Sequence, residues 1–203
     1  NEGFATWVGW RAMDHLYPEW KVWSQFLTNE QSMGLGLDSL RSSHPVEVPI
    51  ESAGQVNEIF DAISYSKGSC VIRMLEAHLG EETFRAGMRI YVARHAYGNA
   101  GTTDLWQALS EASGEDVADL MSCWTSQTGY PILSVEKKKK DENNDVITVT
   151  QRRYLASGPD SLTEEESGAM WKVPLRAEGL PGVLDAPEAT FSLPSSSSSS
   201  SSS

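Results

Sequence analysis

Two side chains stand where a reactive group would be useful, and each also has a structural explanation. Glu2 lies in Asn1-Glu2-Gly3-Phe4-Ala5-Thr6-Trp7, at the start of an apolar stretch with helical spacing. A carboxylate there faces the positive end of a helix dipole, which favours an acid for stability alone. Tyr65 lies in Phe60-Asp61-Ala62-Ile63-Ser64-Tyr65-Ser66-Lys67-Gly68, at another helix start. Its phenol can pack as one more aromatic and can donate a hydrogen bond. Asp61 precedes Tyr65 by four, so on a continuous helix the two are neighbours and Asp61 is placed to orient the phenol's surroundings. Lys67 is expected to pair with a nearby acid. His44, beside Pro45, reads as a loop residue satisfied by backbone, and His15, His78 and His95 as residues of helix surfaces or ends. Cys70 and Cys123 sit inside apolar helical patterns, where free cysteine packs as a small hydrophobe; a disulfide or cysteine metal site is not expected.

The elements that must hold these residues divide at about residue 131. Before it, apolar residues recur at three and four residue spacing between helix punctuators. Gly3 to Tyr17 is a first helix, and Pro18 starts a second that continues through Leu27. Arg41 to Gly54, with Pro45 and Pro49, reads as an extended connection, followed by a short helix over Val56 to Ile63. Further helices are predicted over Tyr65 to Leu79, from Phe84 toward Gly98, after a cap at Thr102 or Thr103, and through Val117 to Trp124. The seven tryptophans recur at helical spacing and read as core. After Pro131 the period changes. Ile132 to Val135 and Val146 to Val149 read as strands around a long polar loop, Glu136 to Asp145, with Trp171 to Leu175 a third strand candidate. The run from Ser195 to Ser203 is expected to be disordered, because serine buries no apolar surface.

Composition narrows the function classes. Sixteen Lys+Arg against 28 Asp+Glu give a net charge of −12 over 203 residues. A phosphate backbone repels such a surface, and the one basic run, Lys137 to Lys140, lies beside Asp141, Glu142 and Asp145, so nucleic acid is not an expected partner. No stretch approaches the roughly 18 to 20 apolar residues that a membrane span needs. The cysteine usage leans toward a reducing compartment.

Asn1-Glu2-Gly3-Phe4-Ala5 resembles the third-ligand segment of the gluzincin aminopeptidases, the zinc exopeptidases that include the puromycin-sensitive and membrane alanyl enzymes. The segment around Tyr65 is similar to that family's tyrosine motif, 63 residues after Glu2. The resemblance continues through Leu37-Asp38-Ser39-Leu40-Arg41-Ser42-Ser43-His44-Pro45 and Tyr97-Gly98-Asn99-Ala100 to Gly129-Tyr130-Pro131. It implies that Glu2 is a zinc ligand, that Tyr65 stabilises the oxyanion of a tetrahedral intermediate, and that peptides with a free N-terminus are the substrates. It also implies a mainly α fold: residues 1–130 as the helical C-terminal half of a thermolysin-like catalytic domain, 131–193 as a partial β-sandwich, and 194–203 as the serine tail.

The sequence departs from that family in one respect that matters. None of its histidines stands in His-Glu-x-x-His, which would supply two further zinc ligands and a general base. The segment that holds the substrate's amino group is missing too. The chain, beginning at Asn1 and ending in serines, is therefore expected to be a cut piece of a cytoplasmic zinc aminopeptidase, inactive by itself. The competing reading is a non-catalytic helical binding or scaffold module built on the same fold.

Overall fold

A computed structural model describes residues 1–49, 60–139, 144–176 and 182–194. The chain is mainly α, with a small antiparallel region, and forms two compact units. The first comprises Asn1–Tyr130 together with Leu155–Ser157; the second comprises Pro131–Tyr154 and the residues from Gly158 onward.

In the first unit the helices are α1 (Glu2–Leu16), α2 (Val22–Phe26), α3 (Ser32–Asp38), α4 (Gly68–Leu79), α5 (Glu81–Arg94), α6 (Thr102–Ser113) and α7 (Val117–Thr125). They form because apolar residues return to one face at each turn, and that face is buried: Val71, Ile72 and Leu75 on α4, Leu105, Trp106 and Leu109 on α6, Val117, Leu120 and Met121 on α7. Each fully buried aliphatic chain, such as Leu75 or Leu109, contributes about 1.5–3 kcal/mol by leaving water. Trp7 and Phe84 meet edge to face at 5.1 Å between ring centroids, joining α1 to α5. Of the tryptophans expected in the core, Trp7, Trp106, Trp124 and Trp171 are buried, Trp10 and Trp23 are only half-buried, and Trp20 is half exposed and stacks on Tyr17 at 4.4 Å.

Two stretches are wound as π-helix, Leu27–Gln31 between α2 and α3, and Ile63–Lys67 leading into α4. The second helix expected from Pro18 is thus a short 3-10 turn, Pro18–Trp20, then α2 and the first π stretch. The expected helix over Val56 to Ile63 is corrected: residues 60–62 are not helical, winding starts at Ile63, and 50–59 lie outside the described residues. The cap of α6 is also corrected. Neither threonine provides it; the Asp104 carboxylate accepts from Gly101 N–H at 2.8 Å.

In the second unit, β1 (Pro131–Lys139), β2 (Asn144–Arg153) and β5 (Glu188–Pro194) form one antiparallel sheet in the order β1-β2-β5, with Val135 opposite Val149 and Val149 opposite Ala189. A separate two-stranded ladder pairs β3 (Val173–Pro174) with β4 (Val183–Leu184). Thr163 caps α8 (Glu164–Ser167), a single turn whose Glu166 meets Arg153 at 3.4 Å. Two expectations are corrected here. The polar stretch from Glu136 is strand as far as Lys139, where Lys137 reaches Asp145 at 2.7 Å, and strand is found again from Asn144; residues 140–143 lie outside the described residues. The third strand candidate, Trp171 to Leu175, does hold a strand, Val173–Pro174, but it lies in the two-stranded ladder, and the third strand of the main sheet is β5. The serine run from 195 also lies outside the described residues.

Candidate functional site

Glu2 opens α1 and is half-buried. Its position is set one residue later, where α1 crosses the start of α4. A Cβ added to Gly3 would lie 2.5 Å from the carbonyl carbon of Gly68, and one added to Gly68 would lie 3.0 Å from the Gly3 Cα. Only hydrogen at Gly3 permits this backbone-to-backbone contact, and a methyl at Gly68 would be tighter than ordinary contact. The crossing brings the first turn of α1 against the π stretch that carries Tyr65.

The Tyr65 hydroxyl lies beside the Glu2 carboxylate, within range of a hydrogen-bonding interaction. Its acidity is weakened, first by partial desolvation and then by that interaction and the adjacent negative charge, all of which favour the neutral phenol over phenolate. Tyr65 is 37% exposed, so the ring is held at a surface while its hydroxyl is engaged. A cleft of about 630 Å³ has Glu2, Val46, Phe60, Ser64 and Trp106 in its walls, with Tyr65 just outside its lining.

The π stretch is fixed from several sides. Lys67 N–H and Ser66 N–H both donate to the Ala62 carbonyl, at 2.9 and 3.0 Å, the doubled acceptance that widens the turn. A Cβ on Gly34 of α3 would lie 3.0 Å from the Lys67 backbone nitrogen, so α3 also lies close against this stretch. The Lys67 ammonium is buried and pairs with Asp38 at 2.7 Å, while donating to the Gly129 carbonyl at 3.0 Å. Asp38 in turn accepts from Gly129 N–H at 2.8 Å and the Ser43 hydroxyl at 3.0 Å. Ser66 donates to Glu30 at 2.6 Å, and Trp10 donates to the same carboxylate at 3.3 Å.

Asp61 acts through its backbone cap rather than against the phenol ring. Its Oδ1 accepts from Ile63 N–H at 2.8 Å and Ser64 N–H at 3.3 Å, and its carbonyl accepts from Tyr65 N–H at 3.1 Å. His44 is bound at both ring nitrogens, Nδ1 to the Pro45 carbonyl at 2.7 Å and Nε2 to Asp61 Oδ2 at 2.9 Å. The expectation of a backbone-satisfied loop histidine therefore holds for one nitrogen only. The structuring roles of Asp38, Glu30, Gly3 and Gly68 carried no signal in spacing, since each depends on a partner distant in sequence.

Among the described residues no three His, Cys, Asp or Glu side chains converge as a metal site. His44 is committed to Asp61, and His78 meets Glu115 at 2.7 Å. A zinc ion needs three or four protein ligands, so the donor set present does not by itself fit one. Also among the described residues, no helix is long and apolar enough to cross a membrane.

Residues 1–124 match the model of the peptidase family M1 domain. The chain belongs to that family. The matched M1 segment contains both Glu2 and Tyr65. Across 95% of its length the chain is 48% identical to alanine/arginine aminopeptidase of Saccharomyces cerevisiae, covering 22% of that protein. It is 53% identical over 78% of its length to aminopeptidase M1 of Arabidopsis thaliana, and 45% identical over 86% to the puromycin-sensitive aminopeptidase of Caenorhabditis elegans, covering 17% and 19% of those relatives. This M1 chain thus spans about a fifth of the length of the curated relatives it matches.

Proposed function

We propose that this M1 chain is the helical half of the catalytic domain of a zinc aminopeptidase, followed by part of a β-sandwich, and that the intact enzyme removes N-terminal residues from peptides in the cytoplasm. The observation that carries the proposal is the Tyr65 hydroxyl set beside the Glu2 carboxylate across the Gly3–Gly68 crossing. A carboxylate and a neutral phenol held this close suit a site in which one binds the metal and the other meets the reacting carbonyl. Glu2 is the carboxylate zinc ligand; the two histidine ligands and the general base come from chain outside this segment. Zinc, when bound, polarises the substrate carbonyl and acidifies water.

The phenol of Tyr65 donates to the carbonyl oxygen as it gains charge. Its environment keeps the proton on the phenol at neutral pH, so the donor is ready before the reaction begins. The peptide enters by the cleft beside Glu2 and Phe60 with its free amino group first. The isolated chain, which carries no His-Glu-x-x-His, releases no amino acid.

The test is to join the chain to an upstream segment carrying His-Glu-x-x-His and to measure zinc content and release of a fluorophore from aminoacyl reporters. Stoichiometric zinc with turnover that Tyr65→Phe reduces in kcat supports the reading. The scaffold alternative is favoured by the lone ligand among the described residues. It would prevail if the joined protein bound zinc tightly and still released nothing.

A further inference from the structure

We propose that Asp61, clamped by His44, is the positioning residue for Tyr65, an inference that rests on the oxyanion role proposed above for the phenol. Tyr65 sits near the start of a π-wound turn, whose geometry is less self-enforcing than that of an α-helix. What sets the first turn is its cap. Asp61 divides its carboxylate between two tasks: Oδ1 holds Ile63 and Ser64 N–H, while Oδ2 faces His44 Nε2 at 2.9 Å. A cap held only by its own turn can pivot with it. This one is tied to a second part of the fold.

His44 is a fixed post because its loop is anchored on both flanks. Ser43 donates to Asp38 at 3.0 Å, and Glu47 N–H donates to the Thr125 carbonyl at 2.8 Å, at the end of α7. The ring itself is oriented by the Pro45 carbonyl at 2.7 Å. The path therefore runs from the helical frame through His44 to Asp61, from Asp61 to the backbone of Ile63 and Ser64, and from that turn to the Tyr65 phenol beside Glu2. Neither His44 nor Asp61 touches Tyr65's hydroxyl, so neither is a catalytic residue. Both fix where it lies, and small displacements of a group that acts in the transition state are costly in rate.

The test is a mutant cycle in the intact enzyme: wild type, Asp61→Ala, Tyr65→Phe and the double variant, each checked for zinc content, with kcat and KM on one aminoacyl reporter. Asp61→Ala is expected to lower kcat about tenfold or more with KM nearly unchanged, and to have no further effect in the Tyr65→Phe background, because a misplaced group and an absent one lose the same interaction. Asp61→Asn retains an acceptor for Ile63 and Ser64, and its amide N–H can donate to a neutral His44 ring, so most of kcat should return. His44→Ala should fall between the two, and it keeps the test open should Asp61→Ala not fold. An equal loss of kcat from Asp61→Ala in both backgrounds overturns the positioning role while leaving Tyr65's role intact. Unchanged kcat in Asp61→Ala and His44→Ala also overturns it. Unchanged kcat in Tyr65→Phe overturns the oxyanion reading itself, and is seen in a different protein of the set.

Discussion

Gly3 and Gly68 meet main chain to main chain, with no room for a Cβ on Gly3 and only a tight fit for one on Gly68. This contact places the carboxylate of α1 beside the phenol that precedes α4. Replacing Gly3 by alanine sets two effects against each other. Alanine favours the helix by about 1 kcal/mol over glycine, whereas forcing a methyl into a filled backbone contact costs about 1–3 kcal/mol or more. At 2.5 Å from a carbonyl carbon the second effect wins, so Gly3→Ala should lower the urea midpoint and separate Glu2 from Tyr65. Gly9, on the same helix, has nothing within 4 Å of an added Cβ. Gly9→Ala should be neutral or stabilising, and a loss there equal to that at Gly3 would remove the crossing as the cause.

Tyr65 should be among the last tyrosines to ionise. Its pKa is raised above 10.0 by desolvation, by the hydrogen-bonding interaction with Glu2 and by the Glu2 charge. The sign follows from linkage: a group with a raised folded pKa adds stability that is fully present below its unfolded pKa and is lost as pH rises through the folded one. Stability from this pair should therefore be constant through neutral pH and fall only above about pH 10. Alkaline absorbance titration checks this. Tyr65→Phe should delete a late-titrating group, and Glu2→Gln should move that group earlier. No change on Glu2→Gln would mean the two side chains do not interact in solution.

The helices and both site segments were legible in the sequence because amphipathic periodicity and the local motif text are properties of short windows. The π winding at Ile63–Lys67 was not, since it arises when Ser66 and Lys67 share the Ala62 carbonyl and α1 and α3 close in through Gly3 and Gly34. The β region misled for a different reason. The inward positions of β2 include Asp145, Gln151 and Arg153 as well as Val149. The three polar side chains meet Lys137, the carbonyls of Trp171 and Ala186, and Glu166, respectively, although the Arg153 Nε is left without a partner among the described residues. Period two is present, but half of its signal is polar.

Cys70 should resist alkylation. Burial first, and then the nearby Glu30 carboxylate, push its thiol up to about 12, with Arg73 only partly opposing them. Since the thiolate is the nucleophile, almost none is present at pH 8. Mass spectrometry after iodoacetamide treatment of the folded chain should find Cys70 unmodified until denaturant is added. Rapid labelling in buffer would mean that α4 opens locally.

The isolated chain should bind zinc weakly, since the proposed ligand Glu2 belongs to no cluster of three or more His, Cys, Asp or Glu among the described residues. Dialysis against zinc followed by metal analysis should leave well under one ion per chain, and Glu2→Gln should change that little. Aminoacyl reporters should give no signal above buffer. Tight stoichiometric zinc abolished by Glu2→Gln would require ligands from residues outside the described set.

The buried Lys67–Asp38 pair ties the tyrosine segment to Gly129, near the end of the helical unit. With the side chains only 7% and 2% exposed, breaking the pair leaves a charge without its counterion in a dry site, which costs about 3–5 kcal/mol. Lys67→Met should approach the lower end of that range, because Asp38 keeps its bonds from Gly129 N–H and Ser43. Adding Asp38→Asn removes the stranded charge while retaining an oxygen acceptor, so the double variant should be more stable than Lys67→Met alone. Urea unfolding with an unchanged slope decides it: a double variant weaker than either single, by the sum of their losses, would show that the two side chains stabilise the fold independently.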